Sequence, residues 1–137
     1  MKRHSEEIST VFQCLHSPQE FSAVSFTEGL QLIRVSGTAE PLTHISTGQR
    51  TALAISFFLA MNRQLPKGPR LLLFDDPVVH VDDLNVLSFL YYLREITLQG
   101  ERQVFFTTAN RRITNLFKKK FAFLDNDLQI HALERTS

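Results

Sequence analysis

Two acids at the end of an apolar run hold the clearest chemical potential in this sequence: Leu71-Leu72-Leu73-Phe74 leads directly into Asp75-Asp76-Pro77. A short unbroken apolar run suits a parallel strand covered on both faces, and acids at its carboxyl end lie where open α/β sheets bind ligands. In phosphoryl-transfer sites of this kind the first acid, here Asp75, would hold Mg2+, usually through water. The next acid, here Asp76, can orient or deprotonate the attacking water. An acidic turn capping the following segment, with Pro77 stopping the strand, accounts for the same residues without chemistry. The second feature is Ile45-Ser46-Thr47-Gly48-Gln49-Arg50. Ser46 and Gln49 stand at capping-box spacing. Such a helix start offers free backbone N–H groups and a positive dipole end to a phosphate, and Gly48 lets the backbone approach a ligand closely. A well-capped core helix is the plainer alternative.

The elements that must position these residues follow from periodicity. Ile8, Val11, Phe12 and Leu15 form one helical stripe, which Ser17-Pro18 should end, because proline disfavours helical geometry in the residue before it. Residues 23–26 and 30–35 alternate around a Thr27-Glu28-Gly29 turn and read as a β-hairpin, with loop from Ser36 to Pro41. The nearly all-apolar stretch from Gly48 to Asn62 predicts a mostly buried helix, and Pro66, Gly68 and Pro69 punctuate its exit. Leu84, Leu87, Leu90, Tyr91 and Arg94 outline a second amphipathic helix. Val104-Phe105-Phe106 with Thr107-Thr108 predicts a second buried strand, followed by a basic helix from near Asn110 to Lys118. Residues 121–124 and 128–133, joined by Asp125-Asn126-Asp127, predict a closing hairpin. Strand–helix–strand–helix order with buried strands means an α/β layer.

The bulk properties are those of one ordinary globular domain over residues 1–137. At 137 residues, about two thirds of the unfolded surface is removed on folding. Hydrophobic residues make up 43% and charged residues 21%. A formal net charge of +1 leaves no global attraction for nucleic acid or membrane, so any such partner needs a local patch. The lone Cys14 rules out an internal disulfide framework and fits a reducing compartment; it sits beside the first stripe, as a small packed residue would. The N-terminus lacks an apolar signal core, and no stretch approaches the ~20 apolar residues of a membrane helix. No membrane partner and a cytoplasmic location are expected. The histidines, His4, His16, His44, His80 and His131, show no zinc-ligand spacing. Arg111, Arg112, Lys118, Lys119 and Lys120 cluster on the basic helix; they suit DNA phosphates or a solvated face.

Taken in order, the motifs resemble those of a known family. Ser46-Thr47-Gly48-Gln49-Arg50 is similar to the ABC signature L-S-G-G-Q, and Leu71–Pro77 to a Walker B strand ending in D-E-P. Val81-Asp82, six residues after Asp76, resembles a D-loop, and residues 103–108 resemble the strand leading into a switch loop. Order and spacing resemble the C-terminal lobe of the head of SMC-type and double-strand-break-repair ABC ATPases, over essentially the whole chain. The fold class implied is the α/β C-terminal half of a P-loop NTPase head, with parallel strands flanked by helices and small β-hairpins. Residues 1–17 match the end of a coiled-coil arm, 44–62 the signature helix, 70–83 the Walker B and D-loop segment and 103–110 the switch strand.

The resemblance implies a composite site for ATP and Mg2+ between two heads. Asp75 would sit by the metal and Asp76 by the attacking water. Ser46, Thr47, Gly48 and Gln49 would form the nucleotide-binding signature, facing the γ-phosphate held by the partner head, and Asp82 would lie at the dimer seam. Partners implied are an N-terminal Walker A lobe, a second head in a homodimer, and DNA. Four departures stand out. No G-x-x-x-x-G-K-[ST] loop is present, so the chain is not expected to bind or hydrolyse ATP unaided. Asp76 replaces the usual glutamate, which pulls the carboxylate back by roughly a bond length, and misplacement near ~1 Å can cost about 10²-fold. Ala109 stands where the switch histidine is usual, and Thr47 replaces a glycine. Two rival expectations remain: a degenerate, non-hydrolysing module that regulates a partner head, and a small DNA-binding protein using the basic helix.

Overall fold

A computed structural model describes residues 2–16, 20–65, 67–100 and 102–133. The first helix, α1 (Lys2–Leu15), buries Ile8, Val11, Phe12 and Leu15, the stripe its spacing predicts. Ser17 and Pro18, expected to end it, lie outside the described residues, as does Pro66. A polar stripe on the same helix does a second job. Ser5 Oγ donates to the Val24 carbonyl at 2.6 Å, Ser9 Oγ accepts from the Val24 N–H at 2.8 Å, and Gln13 Nε2 donates to the Ser22 carbonyl at 2.6 Å. At i, i+4 and i+8 these side chains satisfy backbone groups along one edge of β1 (Phe21–Ser25).

β1 pairs antiparallel with β2 (Gln31–Arg34) across the expected turn, where Gly29 has φ 99°. β2 then pairs with β3 (Ala39–Pro41), within a segment read from sequence as loop. Gly37, at φ 88°, makes that second turn, and the Arg34 Nε–Glu40 Oε2 ion pair at 2.9 Å staples it. The Glu40 carboxyl is held below its ordinary pKa, chiefly by the Arg34 hydrogen bond.

A 3-10 turn (Leu42–His44) leads into α2 (Thr47–Arg63), which packs against α1. Burial of α2 is one-sided: Ala52, Leu53, Ser56, Leu59 and Ala60 are buried, but Phe57, Phe58 and Met61 are exposed, against the expectation of a mostly buried helix. The parallel pair β4 (Leu71–Asp75) and β5 (Gln103–Thr107), joined through α3 (Asp83–Leu98), is the α/β unit expected. It too is covered on one face only. Leu72 and Phe74 are buried, whereas Leu73 and its register partner Phe105 are 62% and 48% exposed. The two faces of a strand alternate, and the described residues cover just one of them.

Within α3 the buried residues are Asn85, Val86, Phe89, Leu90 and Leu93, while Leu84 and Tyr91 of the expected stripe are 55% and 53% exposed. The sequence of α3 is apolar on several sides, so periodicity alone did not choose the face. Helix α4 (Arg111–Phe121) continues past Lys118 because the Phe121 ring stacks on Phe117, one turn earlier, at 4.2 Å. A 3-10 segment (Ala122–Asp127) follows, and no strand forms over 128–133, so the closing hairpin is absent. Asp125, at φ 48°, makes the turn that its type suggested, but the chain beyond finds no strand to pair with. Cys14 is exposed rather than packed.

Candidate functional site

The acids sit where β4 ends, and β5 holds them there. Parallel register places Asp75 beside Thr107. Thr107 Oγ1 donates to Asp75 Oδ1 at 2.5 Å and accepts from the Asp76 N–H at 3.1 Å; that N–H also reaches the Thr107 carbonyl at 3.1 Å. Thr108 Oγ1 donates to Asp76 Oδ1 at 3.1 Å. Two threonines read from sequence only as part of the switch strand are thus the clamps of both carboxylates. The parallel pairing that joins them, 32 residues apart in the chain, carries no local signal. Asp75 remains exposed at this tip. Asp76 has φ 43°, in the left-handed region. Aspartate tolerates that region better than longer side chains because its short polar group bonds locally, which gives a backbone reason for aspartate where a glutamate is usual.

The start of α2 carries the expected capping box in full. Ser46 Oγ accepts from the Gln49 N–H at 3.1 Å, and Gln49 Oε1 accepts from the Ser46 N–H at 2.8 Å. Ser46→Ala should therefore cost about 1 kcal/mol of stability, measured as a lower urea midpoint at unchanged slope; an unchanged midpoint would show the cap contributes nothing. The far end of the Gln49 amide donates to Glu20, so this side chain is engaged within the chain rather than left open. Gly48 has an intramolecular reason for lacking a side chain: a Cβ there would stand 3.2 Å from the His80 carbonyl oxygen. The first turn of α2 therefore rests against the loop that follows β4, a contact sequence could not show. Ser46 and Thr47 are exposed beside it.

Asp82 is the N-cap of α3. Its Oδ1 accepts from the Leu84 and Asn85 N–H groups at 3.1 Å each, and its Oδ2 from Asn85 Nδ2 at 2.7 Å. This is a capping role that the resemblance to a D-loop did not suggest, although an aspartate just before a helical segment signals it. No hydrogen bond among the described residues links Asp75 or Asp76 to residues 46–49. The structure brings the acids to β5 and brings Gly48 to the loop carrying His80 and Asp82. His4, His44, His80 and His131 are exposed, His16 is buried, and no metal-holding cluster of His, Cys, Asp or Glu occurs among the described residues. On α4, Arg112 pairs with Asp83 at 2.7 Å and Lys120 lies 3.5 Å from the Tyr91 ring centre, so part of the basic cluster is spent on neighbours.

No protein-family model matches the chain. It is 35% identical over 65 residues, 47% of its length, to the DNA double-strand break repair Rad50 ATPase of Aeropyrum pernix. Its structure superposes with a TM-score of 0.62, over 82% of this chain at 23% identity, on an SMC ATPase solved to address ATP-driven dimerization and DNA-stimulated activation. The Smc head domain of Pyrococcus furiosus, bound there to the C-terminal domain of ScpA, superposes with a TM-score of 0.64 over 87% of this chain at 21% identity. The chain has the fold of an SMC ATPase head.

Only part of that head is spanned. The chain covers 7% of the Rad50 relative, 71% of the first SMC structure and 30% of the second. The fold agrees with what the order of the four motifs implied. A partial SMC-head fold also accounts for the bare sheet face: Leu73 and Phe105, adjacent across the ladder, form an apolar surface beside unpaired strand edges. Such a surface promotes self-association. Replacing both Leu73 and Phe105 by lysine is expected to shift the isolated chain toward monomer in analytical ultracentrifugation; a parent chain already monomeric at high concentration refutes the expectation. No helix among the described residues is long and apolar enough to cross a membrane.

Proposed function

We propose that the chain is the signature and Walker B half of a composite SMC-like ABC ATPase, which binds and hydrolyses ATP at an interface between two heads. The observation that carries this reading is the acid pair at the β4 tip, clamped by Thr107 and Thr108, with Asp75 exposed and Asp76 half-buried. In this reading the phosphate loop comes from an N-terminal lobe that covers the bare face of β4 and β5, and Ser46, Thr47, Gly48 and Gln49 face the nucleotide of a second copy. Asp82 lies near that seam while capping α3. The Rad50 relative is a DNA double-strand break repair ATPase and the first SMC structure addresses DNA-stimulated activation, so DNA repair, chromosome maintenance or defence against foreign DNA is the proposed setting, with DNA as a further partner.

A hard-oxygen donor set fits Mg2+: the exposed Asp75 carboxylate, with the Thr107 hydroxyl against one of its oxygens, would hold the ion. When bound, Mg2+ supplies charge neutralisation to the phosphates. Asp76 then accepts the proton of the attacking water, its carboxylate aimed by Thr108. The alternative is a non-hydrolysing module that docks on a partner head and regulates it; the Gln49 side chain, already bonded to Ser46 and Glu20, favours it over a signature poised for phosphate. Mixing the chain with the matching Walker A lobe and measuring Mg2+-ATP turnover separates the two. Turnover that appears on mixing and vanishes with Asp75→Ala supports the ATPase. Stable docking with unchanged turnover discards it for the module.

A further inference from the structure

Between the start of α2 and the start of α3 runs a continuous polar path through the end of α1. The Gln49 amide donates to Glu20 Oε1, and the same oxygen faces His16 Nε2 at 3.5 Å. The other ring nitrogen, Nδ1, faces Asn85 Nδ2 at 3.4 Å, and that amide group also donates to Asp82 Oδ2 at 2.7 Å. At its two ends the path meets the Ser46–Gln49 capping box and the Asp82 cap of α3. Its members come from four segments spanning positions 16 to 85 in the chain.

The centre of the path is unusual for where it lies. His16 is 6% exposed, stacked on Phe12 at 5.2 Å and tilted against Phe21 at 5.9 Å. A buried polar ring in apolar company costs free energy unless its nitrogens are bonded, and a phenylalanine would fill the same space without that cost. Here both nitrogens have partners of opposite kind: an amide donor at Nδ1 and a carboxylate acceptor at Nε2. That pairing selects the tautomer with hydrogen on Nε2. Both ring contacts stand at the outer limit of hydrogen bonding, so a shift of roughly half an ångström by Glu20 or Asn85 brings its contact to ordinary length. Glu20 is anchored from a third side by Arg34 Nη1 at 3.3 Å, which stops it from following one neighbour freely.

We infer that His16 and Glu20 are positioning residues that hold the start of α2 and the start of α3 in one register, so that displacement of either is transmitted to the other. This deepens the proposed function, because those two starts are the segments assigned there to the nucleotide of a second copy and to the seam with it. The coupling itself is a property of this chain and is tested without nucleotide.

Amide hydrogen exchange and ring 15N shifts of the labelled full chain read it. The His16 ring should show the Nε2–H tautomer. Gln49→Ala, which cuts the path at one end, should speed exchange at the distant Leu84 and Asn85 amides by about fivefold or more, with Ile113 in α4 unchanged. In a His16→Phe background, which keeps the ring packing, the further effect of Gln49→Ala on Leu84 and Asn85 should vanish. Glu20→Ala, at a half-buried position outside the core, should abolish it equally and serves if His16→Phe does not fold. Leu84 and Asn85 amides indifferent to Gln49→Ala would overturn the inference. So would equal acceleration in the Glu20→Ala background, or a uniform acceleration that includes Ile113. A head that hydrolyses ATP but shows no such coupling sinks this inference alone; coupling in a chain that never supports turnover sinks the proposed function alone.

Discussion

Asp75→Asn in the proposed composite head, the chain mixed with a Walker A lobe, is expected to lower ATP turnover by about 10²–10³-fold, the scale of losing one charge-stabilising group in a reaction site, with the chain still folded. Asparagine keeps the shape of aspartate and still offers an Oδ1 to accept from Thr107 Oγ1. The β4–β5 clamp therefore persists, and the change removes one negative charge at an exposed strand tip. A loss of this size corresponds to about 3–4 kcal/mol of transition-state stabilisation. Steady-state turnover at saturating ATP, beside thermal unfolding of the same samples, makes the measurement. Equal turnover in the two proteins would remove Asp75 from the chemistry and leave the acidic turn as its whole role.

Phe89→Ala is the substitution with the largest expected cost in stability. Its ring sits in the middle of a ladder that crosses the molecule: Phe58 meets Phe74 edge-on at 5.5 Å, Phe74 meets Phe89 edge-on at 5.2 Å, and Phe89 leads to Phe106 at 6.3 Å. From Phe106 the ladder continues to Phe117 at 5.0 Å and Phe121 at 4.2 Å. Those rings belong to α2, β4, α3, β5 and α4, so one truncation opens a void touching both strands of the parallel pair. Phe→Ala in a core costs about 3–5 kcal/mol, against a total of about 5–15 kcal/mol for a domain. Urea unfolding should show a midpoint lowered, at unchanged slope, by the equivalent of about 3–5 kcal/mol. A loss below about 1 kcal/mol would mean that the ladder is loosely packed and that its geometry adds nothing beyond burial.

The Arg34–Glu40 staple gives a pH dependence of known sign. The Glu40 carboxyl is held below its ordinary range, mainly by the Arg34 hydrogen bond and despite some desolvation. Its contribution is therefore fully present above the unfolded carboxylate pKa and is lost as pH falls through the lowered folded value. Glu40→Gln should flatten the acid side of the stability curve, measured by thermal unfolding between neutral and strongly acidic pH; an unaltered acid limb would remove the staple from the account.

What the residues determined by themselves is what short-range geometry governs. The stripe Ile8, Val11, Phe12 and Leu15 set the buried side of α1, the Ser46–Gln49 spacing set the start of α2, and Leu71–Phe74 set β4 with its acids at the tip. Each depends on neighbours within about one helical turn or one strand, and the motif order was enough to anticipate an SMC-head fold. Tertiary structure decided the rest. It chose the face of α3, placed β3 where loop was expected, carried α4 through Phe121 in place of a hairpin, set Gly48 against His80, and buried His16 between Glu20 and Asn85. Those outcomes depend on pairing and packing between residues far apart in the chain, and local pattern does not encode which apolar side will find a partner. The bare face of β4 and β5 is the same lesson in reverse: an apolar run reads as a strand covered twice, and only the assembled layers show that the described residues cover one face.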